Sequence, residues 1–171
     1  MNYIGMDIHK QFTVAVVKDE QGNKLAEEKF TNSEDNFGSF MQNYKPEETK
    51  IVIESTGVWE YIYEILEARK YNVILANPSR TRAIAEARIK TDSVDASTLA
   101  DLLRANLVAE SYIPPKDVRR LREVTRERKT FVKQTTQIKN RIHAILIKRG
   151  AEFGYATLCE SAILWIKAKF P

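Results

Sequence analysis

A single cysteine, Cys159, stands among the 171 residues, so no internal disulfide is available and a reducing compartment is the natural reading. Histidine is nearly as scarce. His9 and His143 fall in unrelated elements, which argues against a zinc site. No run of eighteen or more apolar residues occurs, which argues against a membrane span. The opening MNYIGMDIHK lacks the charged start and uninterrupted apolar core of a secretory signal, so the expected location is the cytoplasm. Gly5 and Gly57 belong to no GxGxxG or Walker pattern, leaving no nucleotide cradle. Ser55 and Thr56 have no His or Lys beside them in sequence, so capping suits them better than nucleophilic catalysis. Internal repeats and low-complexity tracts are absent. What remains has the size of one well-buried domain with an extension, and its apolar fraction of 43% is ordinary for a globular chain.

The net charge of +4 conceals a division. Met1 to Pro115 holds 13 basic and 18 acidic residues, whereas Lys116 to Arg149 holds 12 basic and 3 acidic. A basic block beside an acidic domain suits a polyanionic partner, because Lys and Arg displace the counterions condensed on phosphates. A solvated helix surface would carry similar charges, and the pattern does not choose between the two.

Periodicity gives the order of elements. Tyr3–Ile8 is short and apolar, a buried strand ending near Asp7. Phe12–Val17 and Lys24–Thr31 continue an antiparallel meander around the turn residues Asp19 to Asn23, where Gly22 is free to take positive φ. Ser33 caps a helix expected to reach about Tyr44, with Pro46 just past its end. Lys50–Glu54 is a fourth strand, followed by an amphipathic helix with Trp59, Ile62, Ile65 and Leu66 on its apolar face. Asn72–Ala76 is a fifth strand closed by Asn77-Pro78. One helix should follow Pro78, and another should run from Thr91 to about Asn106. A meander followed by crossover units predicts an α/β fold with a mixed sheet flanked by helices.

Pro114-Pro115 marks a boundary. The expected domains are 1–113, a basic helix over 114–150, and a final segment 151–171 whose residues 155–170 read as one more helix. The long stretch up to Gly150 holds no Gly or Pro, and Val118, Leu121, Val132, Ile138, Ile142 and Ile145 give it an interrupted apolar seam. Thr125, Arg128 and Thr135 break a strict heptad, so the helix should pair weakly, not as a strong zipper.

Four acids stand where chemistry is a better account than solvation. Asp7 lies inside an apolar strand, and Glu54 ends another, at the strand edge where open α/β sheets place their sites. Asp92 and Asp95, three apart at a helix start, share one face. Taken singly, Asp7 could cap a turn, Glu54 could accept bonds from the Ser55 to Gly57 junction, and the aspartates could merely favour the helix dipole. Asp101, on the opposite helix face from Asp92, reads as a surface charge. Should the four gather, like charges would raise one another's pKa, and hard oxygen-preferring ions, Mg²⁺ or Mn²⁺, would resolve the conflict.

Gly5-Met-Asp-Ile-His-Lys10, Glu54-Ser-Thr-Gly57, Asn77-Pro78 and Lys90-Thr-Asp-Ser-Val-Asp-Ala96 follow one another in the order found in DEDD-type insertion-sequence transposases. That family includes pilin-gene invertases and bridge-RNA-guided recombinases, and the resemblance spans residues 1 to 150. It implies an RNase H-like domain resembling the junction resolvase RuvC, in which the first and fourth strands lie side by side and the last helix crosses them. Asp7, Glu54, Asp92 and Asp95 would then be the catalytic, metal-binding carboxylates. Residues 116–149 would form a coiled-coil-like segment, implying a homodimer or higher homo-oligomer. The implied partners are DNA and, in the RNA-guided members, a structured guide RNA, in a prokaryotic cytoplasm at the nucleoid. Lys10, Lys90, Arg119, Arg120, Arg122, Arg126, Arg128, Lys129, Lys133, Lys139 and Arg141 are the expected nucleic-acid contacts. Family members also carry a C-terminal domain with a serine implicated as nucleophile. Nothing after Gly150 has that length, so the chain reads as a fragment not competent alone.

Two other functions compete. One is a free-standing RuvC-like junction nuclease using water and two metals; the other is a nucleic-acid-binding dimerisation module without catalysis. An actin-like sugar kinase would need a second such domain and phosphate loops.

Overall fold

The computed structural model describes residues 1–84, 91–150 and 160–169. The chain divides into two compact units, Met1–Ile113 and Pro114–Pro171. In the first, β1 (Asn2–Ile8), β2 (Phe12–Lys18) and β3 (Lys24–Thr31) form an antiparallel meander. The β2–β3 turn is held by Asp19, whose carboxylate accepts from the backbone N–H of Asn23 at 2.8 Å, and Gly22 takes φ +88°. Helix α1 (Glu34–Met41) leads to β4 (Thr49–Glu54), α2 (Trp59–Ala68), β5 (Asn72–Ala76), α3 (Pro78–Ile84) and α4 (Asp92–Arg104). The sheet order is β3-β2-β1-β4-β5, with β4 parallel to both β1 and β5. This mixed five-stranded order with flanking helices is the RNase H-like arrangement.

Alternation along the strands builds two layers of core. On one face Ile4, Met6 and Ile8 of β1 join Ile51 and Ile53 of β4, covered by Phe37, Phe40 and Met41 of α1 and Ile62, Ile65 and Leu66 of α2. On the other, Val14, Val16 and Val52 pack with Ala96, Leu99 and Leu103 of α4. The second face explains a feature of β1. An added Cβ on Gly5 would stand 2.1 Å from the Ala96 carbonyl oxygen and 2.5 Å from the Ala100 nitrogen. Only a residue without a side chain lets α4 lie directly on the central strand.

Three expectations change. Helix α1 stops at Met41, short of Tyr44, and Pro46 opens a 3₁₀ turn, Pro46–Glu48, instead of simply following the helix. Its fixed φ suits that first position. Asp101 is no isolated surface charge. Its Oδ2 lies 2.5 Å from Nζ of Lys18, whose side chain is only 9% exposed while that of Asp101 is 46% exposed. Helical phase places Asp101 away from Asp92 as expected, but β2 supplies a buried cation there. Removing the two partners should therefore cost differently. Asp101→Ala strands a buried ammonium and should destabilise by about 1–3 kcal/mol. Lys18→Met leaves a half-exposed carboxylate that rehydrates, and should cost less in urea denaturation.

In the second unit, α5 (Lys116–Lys148) runs unbroken for 33 residues. Leu121, Val124, Phe131, Ile138 and Ile145 are each more than half exposed and recur at intervals of three and seven residues along it. Of the expected tail helix, Glu160–Lys169 is described as α6, and the rest lies outside the described residues. No helix among the described residues is long and apolar enough to cross a membrane.

Candidate metal centre

Three elements converge on one end of the sheet. β1 delivers Asp7 on the α4 face, since its neighbours Met6 and Ile8 point into the opposite core. β4 runs parallel to β1 with Met6 paired to Ile53, so Glu54 ends β4 beside Asp7, one register step further on. Helix α4 begins over this edge. Thr91 caps it, its hydroxyl accepting from the Val94 N–H at 3.2 Å, and Asp92 and Asp95 occupy the first turn. Because Ala96 and Ala100 rest on Gly5, the preceding turn of α4 is held at the level of Asp7, two residues further along the strand.

Asp7 is 15% exposed at its side chain and Asp92 47%. Burial pushes the Asp7 carboxyl above its ordinary value. His9 opposes this by charge and hydrogen bonding, and the negative charges of Asp95 and Asp92 push it further up. A carboxylate held in this way gains from a cation.

The residue that sequence reasoning set aside is His9. Its Nε2 lies 2.9 Å from Asp7 Oδ2 and 3.4 Å from Asp92 Oδ1, so the imidazole bridges acids 85 positions apart in sequence. One donor atom from each of Asp7, His9 and Asp92 falls within 4.8 Å of the others. Glu54 and Asp95 are not in this tight group, although both stand at the same end of the sheet. The signal that could have found His9 was its i+2 spacing from Asp7, which keeps it on the same face if the strand direction persists. Two oxygen donors and one nitrogen, with further carboxylates adjacent, fit a divalent ion that accepts mainly oxygen.

The expected nucleic-acid contacts divide. Lys10 is exposed in the β1–β2 loop, and Lys90 lies outside the described residues. On α5, Arg120, Arg122, Arg126, Arg128, Lys129, Lys133 and Arg141 are exposed and Lys139 is partly so. Arg119 differs from that expectation. It is 7% exposed and donates from its guanidinium to the Pro114 carbonyl at 2.9 Å, so it serves the start of the helix instead of facing solvent.

Fold and site together define an RNase H-like domain with an acidic centre at the end of its parallel strands. The chain belongs to the IS110-type DEDD transposase family, whose description is simply transposase and whose pattern matches residues 4–148. It is 26% identical over 151 residues to the transposase for insertion sequence element IS1533 of Leptospira borgpetersenii, covering 86% of this chain and 44% of that protein. The chain thus spans less than half the length of that relative. Among solved structures, Thermus thermophilus RuvC in complex with a Holliday junction substrate aligns with 11% identity and a TM-score of 0.47, covering 65% of this chain and 99% of RuvC. A second Thermus thermophilus RuvC structure aligns at 12% identity with the same TM-score and the same share of this chain.

Proposed function

We propose that residues 1–113 form the catalytic domain of a DNA transposase or site-specific recombinase. In this reading Asp7, Glu54, Asp92 and Asp95 hold Mg²⁺ or Mn²⁺ against a scissile DNA phosphate. The observation that carries the proposal is the convergence of Asp7 and Asp92 from remote sequence positions at the C-terminal end of two parallel strands. Bound metal would supply charge stabilisation for the phosphate during strand cleavage and exchange. Asp7 and Asp92 would be its nearest protein ligands, and Glu54 and Asp95 would orient water or a second ion. Strand exchange by the whole protein would also need the region of longer relatives beyond the matched part, where the family resemblance puts a serine nucleophile.

Calorimetric titration of Mg²⁺ and Mn²⁺ into this chain, beside an Asp7→Ala/Asp92→Ala double variant, tests the centre. Saturable binding should be present in the first and absent from the second. Identical traces would sink the metal assignment and leave a nucleic-acid-binding module as the better account. Metal-dependent cleavage of branched DNA by this chain alone would instead favour the junction nuclease.

We place the nucleic-acid contacts on the exposed cations of α5 and on Lys10, with DNA as partner and a structured guide RNA as a second ligand. Each phosphate contact contributes about 0.9 to the slope of log K against log salt for duplex DNA. Changing Arg122, Arg126, Lys129 and Lys133 together to alanine should therefore flatten that slope by about 3–4, in binding measured between 50 and 200 mM salt. An unchanged slope would move the contacts elsewhere. We assign self-association to the exposed apolar seam of α5, because such a helix gains its stability chiefly from packing an apolar face. Sedimentation at rising concentration tests this; a monomer throughout would overturn it.

A further inference from the structure

The loop between β1 and β2 is built around His9 more closely than a spectator residue requires. The His9 N–H donates to the Phe12 carbonyl at 2.9 Å. Its own carbonyl accepts from the Asn32 side-chain amide at 2.7 Å, and Asn32 in turn accepts from the Thr13 hydroxyl at 2.7 Å. The imidazole stacks on Phe12 with ring centres 4.4 Å apart and planes 22° apart. Lys29 lies over the same Phe12 ring at 3.7 Å. Backbone and ring plane are both fixed, and the ring edge points Nε2 at the two carboxylates.

The two spacings from Nε2 match those of neighbouring donors around one ion. Cis donors about 2.1–2.2 Å from one octahedral ion are separated by about 3 Å. Nε2 stands 2.9 and 3.4 Å from the two carboxylate oxygens, each from a different element. An imidazole held only to neutralise Asp7 would need no second acid at that distance. It occupies the position of a third ligand, and a modest movement would admit a cation between the three.

We propose that His9 is a nitrogen ligand of the Asp7–Asp92 centre, and that it makes the centre take Mn²⁺ in preference to Mg²⁺. This rests on the metal-binding reading given above. The chemistry follows from ligand type: Mg²⁺ keeps its waters and favours an all-oxygen shell, whereas Mn²⁺, an oxygen-preferring but softer first-row transition ion, accepts one imidazole among carboxylates more readily than Mg²⁺ does. A metal site of the same acids without His9 would lack this bias.

Pulsed electron paramagnetic resonance of Mn²⁺ bound to this chain tests the ligand directly, because a coordinated imidazole nitrogen modulates the echo. The chain has only two histidines, so His9→Gln identifies the source. The expected result is nitrogen modulation in the wild-type chain that disappears in His9→Gln. That variant should also bind Mn²⁺ about tenfold more weakly while changing Mg²⁺ affinity less than about threefold. If Mn²⁺ binds the wild-type chain and not Asp7→Asn, yet shows no nitrogen modulation, His9 is not a ligand and the carboxylate centre stands. If Mn²⁺ binds wild type and Asp7→Asn alike, or binds neither, both the ligand assignment and the centre fail. If His9→Gln folds poorly, His143→Gln takes its place: nitrogen modulation kept in that variant assigns the signal to His9, and modulation lost in it overturns the ligand.

Discussion

Gly5→Ala should destabilise the chain by about 3 kcal/mol and abolish divalent-metal binding together, although Gly5 carries no ligand. The added methyl would sit 2.1 Å from the Ala96 carbonyl oxygen and 2.5 Å from the Ala100 nitrogen. An ordinary carbon–oxygen contact is about 3.3 Å or more, so α4 must withdraw from β1 by about 1 Å. No rotamer relieves the clash, because both obstructing atoms are backbone. The same helix carries Asp92 and Asp95 in its first turn, and its withdrawal separates them from Asp7. Urea denaturation and Mn²⁺ titration of the variant measure the two effects. A variant that lost stability but kept metal affinity would show that the acids are placed by the loops and not by the seating of α4. One that kept both would show that α4 does not lie on Gly5.

Asp7→Asn should stabilise the metal-free chain while removing its response to metal. Burial and the nearby Asp95 and Asp92 raise the folded-state pKa of Asp7 above the ordinary value of 3.8, despite the opposing effect of His9. The sign follows by linkage. The folded chain binds this proton more tightly than the unfolded chain, so the favourable contribution of Asp7 is complete below the unfolded pKa. It is lost as pH rises through the folded value, and at neutral pH the ionised group opposes folding. Asparagine keeps the shape without the charge. In EDTA at pH 7 the variant should melt higher by on the order of 2–4 °C, a gain of about 1 kcal/mol in a chain of this size. The difference should shrink as the pH approaches 4. Adding Mn²⁺ should raise the melting temperature of the wild-type chain and leave Asp7→Asn unmoved. A variant less stable than wild type in EDTA would mean that Asp7 is a turn cap whose charge the fold already satisfies.

Most of the architecture was legible in the residues. Apolar strands and the turn at Asp19 to Asn23 gave the meander, and the Ser33 cap and the helix start read at Thr91 gave two helix starts within a residue. These are local matters, decided by side-chain chemistry over a few positions. The misreadings have local causes as well. Pro46 reads in sequence as lying just past α1, but its fixed φ serves equally well to begin a 3₁₀ turn. Arg119 has the charge of its basic neighbours in sequence, but Pro114 supplies a carbonyl for its guanidinium and the side chain is buried.

The sequence by itself determined which acids were candidates: Asp7, Glu54, Asp92 and Asp95 stand at strand ends or a helix start within motifs that follow the order of this family. Tertiary structure alone decided which donors meet and at what spacing. The bridging position of His9 depends on the β1–β2 loop, on Phe12 beneath the ring, and on a helix more than eighty residues away. The Lys18–Asp101 pair and the seating of α4 on Gly5 are likewise long-range. Such contacts join residues distant in the chain, and their distances follow from the packing of whole elements, which no local pattern of residues encodes.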